Sequence, residues 1–292
     1  MNPERKAITM KKIEKILFPT DFSETSENAF RYVLMLADRF DAEVKLLHVI
    51  YPEAEPMDFP VMVAQVTQKR VDVAKDVMKT FVDRGLTQVT TGQTLSRVPT
   101  IESDVQVGIP VQHITKMAAE EEADLIVMGT KGEHNRLEQL FGSITTGTIR
   151  RAECPVWVIP ENANFKNIRN IAYATDLQEN DLYHIWQATE ILGKFKPFLR
   201  VVHIEEENDK TAKISMEELA EFFSKQAKDI EVMCHNVKGK ELIKELNEFA
   251  ETMSLDLLIM YRPKRSFLEN LFHESATNRT VYHTEVPILI LH

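Results

Sequence analysis

The sequence contains one pattern of short aliphatic segments twice. The first two segments of each copy match at an offset of 155 residues and the last two at an offset of 132, so the second copy is 23 residues shorter. The matched segments are 16–22 with 171–177, 44–49 with 199–204, 123–128 with 255–260 and 154–159 with 286–291. Four segments in register on two constant offsets indicate an internal repeat, which constrains the fold before any motif is considered.

Each matched segment has the character of a buried parallel strand, because it is short and aliphatic and shows little polar alternation. Helices are predicted between the strands. Ser23 is a suitable N-cap for the first of them, and apolar residues follow it at spacings of three and four. These residues are Ala29, Val33, Leu36, Ala37 and Phe40, and a second such set is Leu242, Leu246, Phe249, Ala250 and Met253. Strands alternating with helices predict an α/β fold of two open parallel-sheet domains in tandem, with right-handed crossovers and helices on both faces.

The repeat divides the chain into residues 1–160 and 161–292, with Glu161–Asn167 as the expected linker. The missing 23 residues of the second copy lie between its second and third strands. The segment Val89–Val107 of the first copy is rich in Thr and Ser, and we interpret it as a strand or hairpin that the second copy lacks.

The composition disfavours several classes of partner. The formal net charge is −10, with −4 in residues 1–160 and −6 in residues 161–292, which is unfavourable for a nucleic-acid surface. No apolar run approaches the roughly 18 residues of a membrane helix, and the amino terminus lacks the apolar stretch of a signal peptide, so we expect a cytoplasmic protein without a membrane partner. Cys154 and Cys234 fall in different halves and form no disulfide framework. The scattered histidines predict no metal site built from protein side chains.

A glycine pattern follows the third strand of the first copy. Gly129 and Gly132 are separated by two residues, and nine residues separate Gly132 from Gly142-Ser143. Gly129 and Gly132 are expected to adopt positive φ and to let the main chain approach an anion. Gly142-Ser143 would open a helix whose free N–H groups attract phosphate, with the hydroxyls of Ser143 and Thr145 as further donors. The sequence has neither the G-x-x-x-x-G-K-[ST] nor the G-x-G-x-x-G pattern, so neither a P-loop nor a Rossmann dinucleotide site is indicated.

With these residues, both halves resemble the universal stress protein family, and the first half has that family's ATP-binding signature in Gly129, Gly132, Gly142 and Ser143. The resemblance covers nearly the whole chain. It implies the family's sheet order, with pairing through the last strand, and an ATP site in the first half only.

The resemblance also implies a role for each part of the site. Asp21 would meet the ribose hydroxyls, and the backbone at Val49 together with Pro19 and Thr20 would hold the adenine. The phosphates, bridged by Mg²⁺ or Mn²⁺, would be held by Met128, Gly129, Thr130, Gly132, Gly142, Ser143, Ile144 and Thr145.

Simpler roles remain open for several of these residues. The glycines could serve only as turn formers. Asp21 could serve only as a helix cap, since Asp176 takes its place in the second copy, where the glycines are replaced. The equivalent His48 and His203 are interpreted as packing residues at strand ends. Lys131 either screens phosphate charge or is simply solvated.

The second copy has lost the glycine pattern. Met128-Gly129-Thr130-Lys131-Gly132 is replaced by Met260-Tyr261-Arg262-Pro263-Lys264, and Glu274 stands near the expected phosphate position. We therefore predict no ATP site there. Arg262, Lys264 and Arg265 either bind another anion through their side chains or form a solvated basic loop.

Three functions are compatible with the sequence. The first is an ATP-binding regulatory protein of the stress response, not an enzyme, acting on an unknown protein partner. The second is a slow ATPase or phosphotransferase, although no catalytic signature for phosphoryl transfer is apparent. The third is an interaction module whose site stays empty. The two halves are expected to pair within the chain, and a homodimer of such chains is equally compatible.

Overall fold

The computed structural model describes residues 12–52, 60–92, 95–130, 143–165, 167–205, 212–226, 232–261 and 286–292. The elements of the first half are β1 (Lys15–Pro19), α1 (Glu24–Phe40), β2 (Glu43–Ile50), α2 (Pro60–Gly92), β3 (Ile101–Val107), α3 (Pro110–Glu120), β4 (Leu125–Gly129), α4 (Ser143–Arg151) and β5 (Val156–Ile159). Those of the second half are β6 (Asn170–Ala174), α5 (Asp181–Leu192), a 3-10 turn (Gly193–Phe195), β7 (Phe198–Glu205), α6 (Met216–Gln226), β8 (Val232–Lys238), α7 (Leu242–Thr252), β9 (Leu257–Tyr261) and β10 (Ile288–Leu291).

The ten strands form one open sheet in the order β3-β2-β1-β4-β5-β10-β9-β6-β7-β8. The strands within each half are parallel, and β5 pairs with β10 in the antiparallel sense, with Trp157 opposite Leu289. The order 3-2-1-4-5 of the first half is therefore mirrored as 8-7-6-9-10 in the second. The predicted α/β fold is confirmed, with the two predicted sheets joined edge to edge through β5 and β10, the last strand of each half.

Alternate residues of each strand pack against opposite layers of helices, as the pleat of a strand requires. Phe18 and Trp157 belong to the core under α1, α2, α5 and α6. Leu17 and Ile126 belong to the core on the other face, under α3, α4 and α7. Both faces are covered, which explains why these strands are almost continuously apolar.

Helix α1 begins as predicted. The Ser23 hydroxyl accepts a hydrogen bond from the Ser26 backbone N–H at 3.2 Å, and Ser23 has extended backbone angles, so it is the N-cap. The predicted apolar stripe of α1 is buried throughout. The helix ends at Asp41, which adopts the left-handed conformation with φ of 59°.

The interpretation of Val89–Val107 as an excursion without a counterpart is wrong. Val89 is a buried residue of helix α2, which continues to Gly92, and only Ile101–Val107 forms a strand. That strand, β3, corresponds to β8 at the opposite end of the sheet. The two halves instead differ in their second helix, because α2 has 33 residues and α6 has 11.

Helix α2 is about 50 Å long at 1.5 Å per residue, and it packs unevenly along that length. Its later turns bury Ala74, Met78, Phe81 and Val89 against the core. Its earlier turns expose apolar side chains, with Val66 45% exposed and Val73 62% exposed. Only the later part of α2 is thus a conventional core helix.

The segment between the halves packs against helix α1. The Asn28 side-chain amide donates to the carbonyl oxygens of Ala163 at 2.8 Å and Pro160 at 3.3 Å. The Tyr32 ring meets the Phe165 ring edge to face at 4.8 Å. None of the described helices is long and apolar enough to cross a membrane.

Candidate functional site

A cavity of about 970 Å³ opens at the carboxyl ends of β1, β2 and β4, beside the start of α4. It lies where the strand order reverses between β1 and β4, which is the expected ligand position in an open α/β sheet. Its volume is near the upper limit of small-molecule sites. The predicted residues that line it are Pro19, Thr20, Asp21, Val49, Met128, Gly129, Ser143, Ile144 and Thr145.

Three predicted residues remain to be placed. Gly132 and Gly142 lie outside the described residues, as does Lys131. Thr130 is described, but it is buried, and its backbone N–H donates to the Ile159 carbonyl at 3.1 Å. That N–H therefore continues the ladder between β4 and β5, and the role of Thr130 at the phosphates stays a prediction.

Gly129 ends strand β4, and it does not have the positive φ expected from the sequence. Among the described glycines, positive φ is found at Gly108. The lack of a side chain at Gly129 has a different cause. A Cβ built at Gly129 would lie 3.1 Å from the Cγ2 atom of Thr25 on α1, which is closer than ordinary contact. Glycine is needed here for the close approach of a helix to the strand end that borders the cavity.

Strand β4 and helix α4 are joined by one side chain. The Thr145 hydroxyl donates to the Gly129 carbonyl at 3.0 Å, and Thr145 is buried. Its proton is therefore already used within the protein, in contrast to the predicted role as a phosphate donor. Ser143, the first residue of α4, is exposed and lines the cavity, so its hydroxyl retains the predicted position.

Asp21 is held by the residues that begin helix α1. Its Oδ1 atom accepts hydrogen bonds from the Ser23 backbone N–H at 3.1 Å, the Ser23 hydroxyl at 2.7 Å and the Ser26 hydroxyl at 2.6 Å. Asp21 is not the N-cap, because Ser23 takes that position. The carboxylate is exposed at the cavity wall and fixed in orientation, as a group that meets a ligand requires.

The loop after Asp21 contains a backbone conformation that bulky residues rarely adopt. Phe22 has φ of 65°, and its N–H donates to the Thr20 hydroxyl at 3.1 Å. Leu177, the equivalent residue of the second half, has φ of 56° and donates in the same way to Thr175. Because the conformation occurs in both halves, it belongs to the turn between strand and helix and not to ligand binding.

His48, on the neighbouring strand β2, makes two contacts with the same loop. Its Nδ1 donates to the Thr20 carbonyl at 2.8 Å, and its ring stacks on Phe22 with 4.3 Å between centroids. Burial lowers the pKa of His48, against the raising effects of the Thr20 carbonyl and the Asp21 charge. His203 makes the equivalent bond to Thr175 at 3.0 Å. The structural role expected for both histidines agrees with these contacts, although His48 also lines the cavity.

Sequence reasoning missed one wall of the cavity. Helix α2 contributes Val66, Lys69, Arg70, Val73, Ala74 and Val77, and Tyr51, Pro110 and Ile114 complete the apolar lining on that side. The α2 residues recur every three to four positions, which is a signal that the sequence does contain. Their position at the site depends, however, on how far α2 extends past the sheet.

The second half fills the corresponding strand end with side chains. Tyr261 ends β9 at the position equivalent to Gly129, and its ring stacks on His184 of α5 with 3.5 Å between centroids and 15° between planes. His184 is buried, and burial lowers its pKa. Arg262, Pro263, Lys264, Arg265 and Glu274 lie outside the described residues.

A buried carboxylate also distinguishes the second half. Asp181 accepts hydrogen bonds from the Tyr173 hydroxyl at 2.8 Å, the Thr175 hydroxyl at 2.6 Å and the Gln178 backbone N–H at 2.9 Å. It occupies the position of Ser26 in the repeat. The Ser26 hydroxyl, which donates to Asp21 in the first half, is thus replaced by a carboxylate that is turned inward, and Asp176, the counterpart of Asp21, remains at the surface.

The fold and the cavity together define an open α/β protein with a cavity at the point where its strand order reverses. The sequence profile of the universal stress protein family matches residues 12–160 and, separately, residues 167–292. The chain therefore belongs to the universal stress protein family.

Individual relatives agree with this assignment. Universal stress protein MJ0577 of Methanocaldococcus jannaschii is 32% identical over 160 residues, which are 50% of this chain and 94% of that protein. Universal stress protein MJ0531 of the same organism is 30% identical over 146 residues, covering 50% of this chain and 81% of that protein. The crystal structure of a universal stress protein from Archaeoglobus fulgidus superposes with a TM-score of 0.64 at 21% identity over 96% of both chains, which shows a shared fold.

Proposed function

We propose that the first half of this chain binds ATP in the cavity at the ends of β1, β2 and β4, and that the protein acts as a nucleotide-dependent regulator in a stress response. The observation that carries the proposal is the meeting of Asp21, Gly129 and Ser143 in one cavity. These three residues come from separate parts of the chain, and the family resemblance assigns all three to the ligand.

The phosphates would lie at the start of helix α4. The first backbone N–H groups of a helix lack partners within the helix, and its dipole attracts anions. Ser143 and Ile144 begin α4 and line the cavity, so these groups face the ligand space. A Mg²⁺ or Mn²⁺ would be held by the phosphate oxygens.

The nucleoside would lie over the ends of β1 and β2. Asp21 presents its carboxylate to the ribose hydroxyls, and Val49 and Pro19 flank the base. The side chains of Val73 and Tyr51, which are exposed in this structure and line the cavity, would give the base an apolar surface to pack against. The first half thereby has the two requirements of a nucleotide site, a polar cradle at one end and an apolar cleft at the other.

A regulatory role fits the chemistry of the lining better than a catalytic one. Besides cationic groups that stabilise the γ-phosphate, phosphoryl transfer requires a side chain that positions the nucleophile in line with it. Among the described lining residues the carboxylate is Asp21, whose Oδ1 atom is engaged by Ser23 and Ser26. We therefore propose that occupancy itself is the signal and that a protein partner in the cytoplasm reads it.

We further propose that ATP binds to one site per chain. The stacked Tyr261 and His184 occupy the strand end of the second half where the first half has Gly129. A phosphate chain approaching that strand end would have to displace both rings.

The direct test is mass spectrometry of the purified and denatured full-length protein for co-purified nucleotide, followed by titration calorimetry with ATP. We expect a stoichiometry near one, and a turnover assay with and without Mg²⁺ should give no burst or sustained hydrolysis. Absence of ATP binding would exclude the proposal, two equivalent sites would exclude the asymmetry, and rapid turnover would favour the enzyme.

A further inference from the structure

We propose that Lys69 and Arg70 of helix α2 supply the positive charge that makes the cavity selective for nucleotides with more phosphates. This inference rests on the proposed ATP site and names two residues that determine its ligand preference. Both side chains line the cavity that contains Asp21, Gly129 and Ser143.

The charge balance of the cavity requires such residues. ATP is strongly anionic, the chain has a formal net charge of −10, and Asp21 adds a negative charge beside the proposed ribose position. The electrostatic field of the negatively charged protein would therefore oppose the entry of ATP. Among the described lining residues, Lys69 and Arg70 bring two positive charges against the one negative charge of Asp21.

The position of the two cations on α2 strengthens their effect. Both cations are three or four residues from Val66 on one side and from Val73 on the other. Residues at these spacings share one side of a helix. The valines line the same cavity and place the cationic groups beside apolar surface. Long cationic side chains commonly lie along such surface with their charged ends at the polar boundary, where lower effective dielectric strengthens attraction.

The second half lacks this feature together with the glycine pattern. Its counterpart of α2 is the 11-residue helix α6, whose early turns contain Glu217, Glu218 and Glu221. The extended helix with its cation pair thus occurs in the half that has the phosphate signature. The first half therefore combines two cationic side chains of α2 with the glycine signature, a combination that favours a polyphosphate ligand.

The test compares the full-length protein with the double variant Lys69→Ala/Arg70→Ala by calorimetry with ATP, ADP and AMP. We expect ATP affinity to fall by about tenfold and AMP affinity by about twofold, because each exposed charge pair contributes up to about a fivefold factor. Raising NaCl from about 0.05 to about 0.3 M should weaken ATP binding more in the wild type than in the variant, since salt screens exposed charges. Alanine favours helix, so α2 should stay folded, and circular dichroism checks this.

The matched control is Lys75→Ala/Lys79→Ala, which removes two exposed lysines of the same helix that are not among the lining residues. Equal losses of ATP and AMP in the Lys69/Arg70 variant, or a loss of ATP no greater than in the control, would overturn the inference while leaving ATP binding intact. Failure of the wild type to bind any of the three nucleotides would instead overturn the proposed function, and this inference with it.

Discussion

The hydroxyl of Thr145 donates to the carbonyl of Gly129 across 3.0 Å and thereby ties the first residues of α4 to the last residue of β4. These two elements flank residues 131–142, which contain the remaining glycines of the signature. A single buried side chain thus fixes the distance between the strand end and the helix start on either side of the proposed phosphate position.

Replacing Thr145 with Val should therefore weaken both the fold and the site. Val has nearly the same shape but no donor, so the carbonyl of the half-buried Gly129 loses this hydrogen bond, at a cost of about 0.5–1.5 kcal/mol. Urea unfolding measures this loss, and ATP titration should show weaker binding. Thr145→Ser keeps the hydroxyl and is the control. Equal stability of the Val and Ser variants would show that the hydrogen bond contributes nothing.

Gly129 should be sensitive to Ala because of Thr25. The added Cβ would lie 3.1 Å from Thr25 Cγ2, and such overpacking costs about 1–3 kcal/mol. Thr25→Ser removes the Cγ2 atom, so Gly129→Ala should be less damaging in that background. A double-mutant cycle in urea should yield a coupling of about 0.5 kcal/mol or more. Strict additivity would mean that the crowding lies elsewhere.

Asp21→Ala should discriminate between a ribose ligand and a structural carboxylate. Loss of a charge-assisted hydrogen bond to ribose costs about 1.5–3 kcal/mol, or about tenfold or more in ATP affinity. The variant should bind ATP and its 2′,3′-dideoxy analogue equally, whereas the wild type should prefer ATP. Asp176→Ala in the second half should leave both affinities unchanged. If the wild type binds the two nucleotides equally, Asp21 serves only the turn that precedes α1.

His48 should make the protein less stable in acid. Its folded pKa lies below the ordinary 6.5 because burial disfavours the charged ring. The unfolded chain therefore binds a proton first as the pH falls through about 6.5, and the free energy of unfolding decreases from there down to the folded pKa. His48→Phe should reduce the difference in unfolding free energy between pH 8 and pH 5.5.

The variant should keep part of that difference, because burial also lowers the pKa of His184 and His235. It should also be less stable than the wild type at pH 8, since the bond to the Thr20 carbonyl is lost. An unchanged or larger acid-induced loss in His48→Phe would contradict the assignment.

The strands were predictable because burial on both faces leaves a continuous aliphatic signal. The sequence match between Ile16 and Ile171 becomes the structural match between β1 and β6. The outer strands β3 and β8 gave no such signal, because each is half exposed at an end of the sheet and its residues are free to differ. For that reason β8 was not recognised as the counterpart of β3.

The last turns of α2 were misjudged for a local reason. Thr is a poor helix former in isolation, and the Thr-rich segment that begins at Val89 and includes Thr90 therefore suggested a strand or hairpin. In the structure the hydroxyls of Thr87 and Thr90 donate to the carbonyls of Asp83 and Leu86, four residues earlier. These bonds satisfy the hydroxyls within the helix. Burial of Val89 then outweighs local propensity.

Within the site, the sequence identified the residues at the strand ends, but it did not show which contact each of these residues makes. Gly129 was predicted from its spacing to other glycines, whereas its contact with Thr25 arises from the packing of α1 on β4. The α2 wall was missed because Lys69 and Arg70 resemble any exposed basic pair until the direction of the helix is known. Spacing along the chain reports a motif, but only packing shows which distant element faces it.

The antiparallel contact of β5 with β10 has a consequence for the proposed signalling. Because polarity reverses at that contact, the carboxyl ends of β1 and β4 point to one long margin of the sheet and those of β6 and β9 to the opposite margin. Under the proposed function, a partner that responds to ATP would dock at the margin of β1 and β4. The opposite margin would then be a second surface that does not change with the nucleotide.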